Sequence, residues 1–567
     1  MKFIALILSG AFALTACDSE PPHPVADLVI LHGDVRIMEP GAADVTALAV
    51  VADRIAFLGD DAATREWIGP GTKVYDAAGA TVLPGLIDSH IHAAEGALAR
   101  GGCSLADDPL TIAQAAERIR ACFANDQDSK WLIVTDVNTA GFKADRQQLD
   151  DIARKRPLVL WGSDGHTGWV NTRALELAKI TRKTMDPADG RIERDRKGDA
   201  TGFLVDGAVG LVTAAMDQPT LAKRLEKLRW ILPRLHAVGI TSYLEANTNA
   251  ETVAAYAELA RLKQLDARVT IALESNGANT PAEFARLDSL RAQAEPYPLL
   301  RANFIKLFAD GVLEYPTQTA ALLDPYNKAD GRPGTNKGKL YLAPAAMIEF
   351  IKHADAAAYN VHVHAIGDAA VQETLDAFAA ARAAGSLRLY SIAHLQLVDP
   401  LDVPRFAALD VMASLQLLWA QPDNYSIDAL QAWLGPERMA RQYPARSLAD
   451  AQAVIAGGSD WDVSSFNPFE AMATGMSRMA LGKPERGTLN AKEALTLEQM
   501  LAAYTVNAAD LIGRRDEVGT LATGKFADIV ILDRAFSKTT NADTVRTTQV
   551  AHAFFAGREL PRVVTTD

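Results

Sequence analysis

Two histidines one residue apart, His90 and His92, close the run Pro84-Gly85-Leu86-Ile87-Asp88-Ser89-His90-Ile91-His92. In an extended chain the side chains at i and i+2 share a face, so the pair can put two imidazoles on one metal ion. Alone this is weak evidence, because two polar residues at a strand end more commonly serve solvation. The pattern recurs, however. Lys306 sits inside Phe304-Ile305-Lys306-Leu307-Phe308, His362 and His364 close 360–365, His394 closes 389–394, and Asp460 follows Gly457-Gly458-Ser459. A lysine enclosed by apolar neighbours is costly unless it is paired or neutralised. Imidazole nitrogens and carboxylate oxygens suit Zn²⁺ or a similar divalent ion. The chemistry open to such a set is activation of a water and polarisation of a carbonyl, with a carboxylate moving the proton.

Residues so far apart in sequence meet only if a fold brings many strand ends together. Strand-like runs recur at 81–91, 240–244, 268–273, 302–308, 360–365, 389–394, 411–415 and 453–459, with helical patterns at 221–237, 251–262, 343–357, 369–384 and 401–408. This alternation predicts an α/β chain whose barrel domain, 81–511, is a (β/α)8 barrel, with its site at the C-terminal ends of the strands. About 150 residues separate the first two strands, too many for a structureless loop. Residues 105–212 are therefore read as an inserted subdomain that roofs the site. Both chain ends are strand-rich, at 27–31, 47–51, 54–58, 528–532 and 550–555. Segments 24–80 and 512–567 are expected to pair into one small β-sandwich domain.

The 567 residues carry a net charge of −13 and no low-complexity tract. That balance speaks against nucleic-acid binding. A core of this size needs no metal to stay folded, so metal ligands would serve chemistry. The first residues differ from the rest. A basic start, Met1-Lys2, precedes an apolar run at 3–14 and then Leu14-Thr15-Ala16-Cys17. The run is too short to span a bilayer of roughly 30 Å and reads as a signal peptide over 1–16. Its end resembles a bacterial lipobox, which makes Cys17 a lipid anchor. The expected location is then the periplasmic face of the inner or outer membrane, with contact through the lipid only. Of the remaining cysteines, Cys103 and Cys122 are expected to form a disulfide after export.

The motifs together resemble the amidohydrolase superfamily, in the amidohydrolase-3 branch that includes N-substituted formamide deformylases. The resemblance rests on PGLIDSHIH (84–92), SDGHTGWVN (163–171), GITSYLEA (239–246), IKLFADGVLE (305–314), HAIGDAA (364–370), IAHLQ (392–396), GSDWDV (458–463) and GKFADIVILD (524–533). It implies the same barrel beside a β-sandwich. It makes His90 and His92 ligands of a first metal, with Lys306 carboxylated by CO₂ to a carbamate that bridges to a second. His364 and His394 would bind that second metal, and Asp460 would contact the first and shuttle protons. Spacing cannot choose between His362 and His364. The family's ligand is the histidine of HAIGD, so His364 is favoured and His362 is expected deeper, bonded to another ligand. His166, Glu245, Asp310 and Glu314 are further candidates for substrate or supporting contacts. The implied cofactor is one or two Zn²⁺ per chain, and the implied substrate a small amide-type molecule cleaved at a non-peptide C–N bond. The same apparatus would serve an esterase, lactonase or dipeptidase-like hydrolase. A non-catalytic binding lipoprotein is the rival of another class. Homo-oligomers are common in the superfamily.

Overall fold

Alternation inside each central strand decides which residues face the helices and which face inward. A computed structural model describes residues 24–126 and 129–562. The leader with Cys17 lies outside the described residues. Eight strands form one parallel sheet in chain order: β1 Leu86–Ile91, β2 Ile240–Thr248, β3 Arg268–Glu274, β4 Leu300–Phe308, β5 Asn360–Ala365, β6 Tyr390–His394, β7 Val411–Leu415 and β8 Ile455–Gly457. Val269, Ile271 and Leu273 of β3, Ile305 and Leu307 of β4, and Val361 and Val363 of β5 pack with the surrounding helices in the largest core. The alternate residues Ala272, Phe304 and Met412 form a smaller core inside the barrel, closed below by helix Val506–Leu511. Lys306 is two residues on from Phe304, so it stands one layer higher on the inward face. Register places it beside His362, and Phe308 beside His364.

The ring closes through the site itself. The Asp460 N–H donates to His90 O at 2.8 Å, and the His92 N–H to Trp461 O at 2.7 Å. The buried Asp88 carboxylate reinforces the seam by accepting from Ser459 N at 3.1 Å and His90 N at 3.0 Å.

The first predicted strand, 81–91, is two strands. Thr81–Pro84 pairs antiparallel with Ile529–Leu532, and only Leu86–Ile91 joins the barrel. Pro84 has no N–H to offer a ladder. Gly85 turns where a Cβ would lie 2.2 Å from Thr241 Oγ1. Hydrophobic patterning runs through this break unchanged, so it gives no sign of it.

The chain ends supply two further sheets. One has the order Arg54–Gly59, Ala47–Val51, Leu28–Leu31, Lys73–Asp76; the other runs Asp34–Val35, Thr81–Pro84, Ile529–Leu532, Val550–Phe555, Arg558–Glu559. Leu28, Ile30, Leu48, Val82, Ile529 and Phe554 share one core across them. The buried pair Arg268–Asp528, at 2.8 Å, fastens this unit to the base of β3.

Between β1 and β2 lies a six-stranded mixed sheet, from Cys103–Ser104 to Ala200–Asp206, with its own cores. A Cys103–Cys122 disulfide ties its edge strand to helix Ile112–Cys122. No helix among the described residues is long and apolar enough to cross a membrane.

Candidate metal centre

β1 and the turn after β8 bring His90, His92 and Asp460 together, with one ligand atom of each within 4.8 Å of the others. Asp460 Oδ1 lies 3.3 Å from His90 Nε2 and 3.0 Å from His92 Nε2. Lys306 Nζ approaches His90 Nε2 at 3.4 Å. The His394 ring lies 4.9 Å from His90 and 4.4 Å from His364. The six residues thus form one ring, of which His90, His92 and Asp460 alone already converge as a triad among the described residues. Backbone conformation is spent to aim two of them. His394 has φ +79° and Asp460 φ +52°, left-handed values that cost a non-glycine residue about 1–3 kcal/mol and cluster at functional sites.

The electrostatics keep most imidazoles of the ring neutral, while at His92 the Asp460 carboxylate overcomes burial and raises the ring above the ordinary value. Burial pushes His90 down to about 3, with Lys306 adding to the effect. Burial also lowers His362, His364 and His394 well below the ordinary histidine value. Uncharged rings keep a lone pair for a metal. His394 Nδ1 is buried and has no hydrogen-bond partner. Burial opposes charge on Asp460, yet His90 and His92 beside it hold its carboxyl well below the usual range. Burial drops Lys306 to about 7, and among the described residues no carboxylate pairs with it. An imidazole nitrogen without a hydrogen bond among the described residues, an ionised carboxylate and an amine with no carboxylate partner are a donor set that fits one or two divalent ions.

His362 lies below the ring. Its Nε2 meets His90 Nδ1 at 2.8 Å and its Nδ1 meets Ser391 Oγ at 2.7 Å. It therefore sets the orientation of His90 and the face that ring offers. His364 donates from Nε2 to Gly311 O at 3.1 Å, which leaves Nδ1 for a ligand. Trp419 stacks on His394 with ring centres 5.5 Å apart.

The inserted sheet reaches the ring through His166, 5.2 Å from the His364 ring. Asp164 accepts the N–H groups of His166 and Thr167, both at 3.0 Å, and so shapes the turn. Asp206 holds His166 Nδ1 at 2.6 Å. Burial works against a charged ring, but Asp206 and then Asp164 raise His166 to about 9. Its Nε2–H is left for the cavity. Sequence reading missed Asp206, although the strand-end rule applies to it, since it closes Ala200–Asp206. Trp419 carried no signal at all.

The three other candidates divide. Glu245 is buried and spends its carboxylate on the Ala94 N–H, at 3.2 Å, and the Tyr256 hydroxyl. Asp310 is buried and accepts from the N–H groups of Ala321, Ile366 and Gly367 at 2.9–3.0 Å. Glu245 thus braces the helices after β1 and β2, and Asp310 the loops after β4 and β5. Glu314 lines the cavity.

That cavity, about 1070 Å³, lies between the barrel mouth and the inserted sheet, with His90, His92, Lys306, His364, His394 and Asp460 in its wall. Comparison with known proteins agrees with the geometry. A family model described as "Amidohydrolase family" matches residues 73–561. The chain is 27% identical to an N-substituted formamide deformylase of Arthrobacter pascens over 527 residues, covering 90% of this chain and 93% of that one. A crystal structure of an uncharacterised metal-dependent hydrolase from Pyrococcus horikoshii superposes with a TM-score of 0.71 at 21% identity, covering 91% of this chain and 99% of the other. An adenosine deaminase structure from Xanthomonas campestris with bound zinc gives 0.51 at 17% identity, covering 96% of each chain.

Proposed function

The chain belongs to the amidohydrolase family, and from that premise we propose that it cleaves an amide-type, non-peptide C–N bond of a small molecule held between the barrel mouth and the inserted sheet. The observation that carries this reading is the convergence of His90, His92 and Asp460 in the wall of the large cavity. Those three residues would hold a first divalent ion. Lys306, as its carbamate, with His364 and His394 would hold a second. Zinc is favoured by the nitrogen-rich donor set and by the zinc bound in the Xanthomonas campestris relative of this fold. When bound, such an ion supplies Lewis acidity, which makes a water more acidic and polarises a carbonyl.

The protein's own groups do the rest. Asp460 Oδ1 faces His90 and His92, whereas Oδ2 lies 3.9 Å from His394 Nδ1, beyond hydrogen-bond distance. Oδ2 takes the proton of the attacking water as its oxygen adds to the carbonyl carbon. It returns that proton to the nitrogen as the C–N bond breaks, acting as base and then as acid. His166, positioned by Asp206, offers an N–H to substrate from the roof. Phe308 and Trp419 cover the His364 and His394 rings, limiting water around the reacting atoms.

The formamide deformylase relative makes N-substituted formamides and N-acyl amides the first substrates to try. Chelator-treated protein is expected to lose at least about a hundredfold in rate and to recover it with zinc and bicarbonate. An unchanged rate after removal of all metal, checked by elemental analysis, would refute the proposal. Faster turnover of matched esters or lactones would move it to another bond.

We also propose that the mature chain is exported and tethered through Cys17. The Leu-Thr-Ala-Cys pattern supports this, as does the Cys103–Cys122 disulfide, a bond suited to an oxidising compartment. Cys17→Ser is expected to shift the protein out of the membrane fraction, and unchanged fractionation would count against the anchor.

A further inference from the structure

Among the described residues, ten carboxylates, one lysine and no arginine line the cavity, and that lysine, Lys306, belongs to the ligand ring. At the ligand ring bound divalent ions would offset that charge, but the part of the wall away from the ring repels an anionic group and concentrates a cationic one. From this geometry we infer that the substrate carries an organic cation, of the alkylammonium or amidinium class, seated away from the scissile bond against Glu314, Asp164 and Asp423. The inference rests on the C–N hydrolase reading and names the class of molecule that the same site would accept.

Three observations carry it. Glu314 lines the cavity, and its side chain has neither a hydrogen bond to another residue nor an ion pair among the described residues. Burial pushes its carboxyl up to about 7, and Asp164 and Asp423 push in the same direction. A bound cation would remove both penalties. Next, the Asp206 side chain is only 3% exposed, its Oδ1 holds His166, and among the described residues the Tyr341 hydroxyl is the neighbour that interacts with the rest of its carboxylate. His166, the cation that the inserted sheet brings to this wall, is bonded to Asp206 and offsets the raised Glu314 carboxyl only in part. Finally, these carboxylates do not converge as a metal site. Among the described residues only His90, His92 and Asp460 bring three donors within 4.8 Å. Carboxylates spread along a wall suit a bulky, diffuse cation better than a compact metal ion. Tyr425 and Tyr443 lie in the same wall, and aromatic faces favour alkylammonium groups.

The test compares choline with its neutral isostere, the alcohol in which a tert-butyl group replaces trimethylammonium. A quaternary ammonium has no lone pair, so it cannot ligate a metal, and the hydroxyl is common to both probes. Titration of the metal-loaded protein at low salt is expected to show choline binding about tenfold more tightly. Glu314→Gln is expected to remove most of that difference and leave the isostere unchanged. Equal affinities in the wild-type protein would overturn the inference, and this comparison needs no variant to fold. Preserved discrimination in folded Glu314→Gln would overturn the assignment to Glu314. Both titrations read binding. Hydrolysis of a neutral formamide by the same preparation therefore tests the parent reading separately.

Discussion

Asp460→Asn is expected to retain metal and to lose about 10²–10⁴-fold in kcat, the usual contribution of a positioned acid–base group. Asparagine is nearly isosteric and keeps an oxygen where Oδ1 now faces His90 and His92 at 3.3 and 3.0 Å. It cannot hold a proton at the second position. The backbone requirement is also met, because asparagine tolerates left-handed φ as readily as aspartate, and φ here is +52°. A loss caused by misfolding would open the barrel seam, where Asp460 N bonds His90 O at 2.8 Å, and would show in the melting temperature. Elemental analysis, thermal melting and kcat measured together separate the cases. Full metal, an unchanged melt and near-normal kcat would show that another group moves the proton.

The parts of this architecture that were legible in the sequence share one property: they are set by local pattern. Each barrel strand is an apolar run with a polar terminus, and period-two alternation alone places Lys306, His362 and His364 on the inward face. Pattern does not say what a polar terminus will bond to. Glu245 and Asp310 follow apolar runs as the ligands do, yet one bonds the first turn of the helix after β1 and the other fixes the loop after β4. Apart from the Tyr256 hydroxyl on Glu245, their partners are backbone N–H groups, which leave no trace in composition. The break at Gly85 was hidden for a similar reason. It depends on Thr241, more than a hundred residues further on, lying too close for any side chain. The His166–Asp206 pair joins two strand ends within the inserted sheet, and the Trp419 stack on His394 comes from the segment after β7. Long-range contacts of this kind are decided by sheet order and loop path, which periodicity does not encode.

The pairing of Lys306 leads to the second large effect. Lys306→Met is expected to lower metal content from two ions per chain to one and kcat/KM by about 10³-fold, which corresponds to roughly 4 kcal/mol. The wild-type amine lies in the barrel interior, 1% exposed, with a histidine as its hydrogen-bond partner and no carboxylate in ion-pair reach among the described residues. A charged lysine there would carry a desolvation cost that Asp460 and the Phe308 ring under its Nζ offset only in part. Burial instead lowers it to about 7, so a large share is a free amine near neutral pH. A free amine adds to CO₂, forming the N–C bond and releasing one proton, and the resulting carbamate is an anion with two oxygen donors. That product fits beside two cations, where the ammonium would not. Methionine fills nearly the same volume, gives up the contact of Nζ over the Phe308 ring and supplies neither amine nor anion. The variant therefore tests the charge without opening a cavity. Reconstitution of the wild type should depend on bicarbonate, and its native mass should include one CO₂ that is lost on acidification. One metal per wild-type chain and no added mass would place the chemistry at His90, His92 and Asp460 alone. Lys306 would then act as a neutral amine within hydrogen-bond distance of His90 Nε2, and Lys306→Met would leave metal content unchanged.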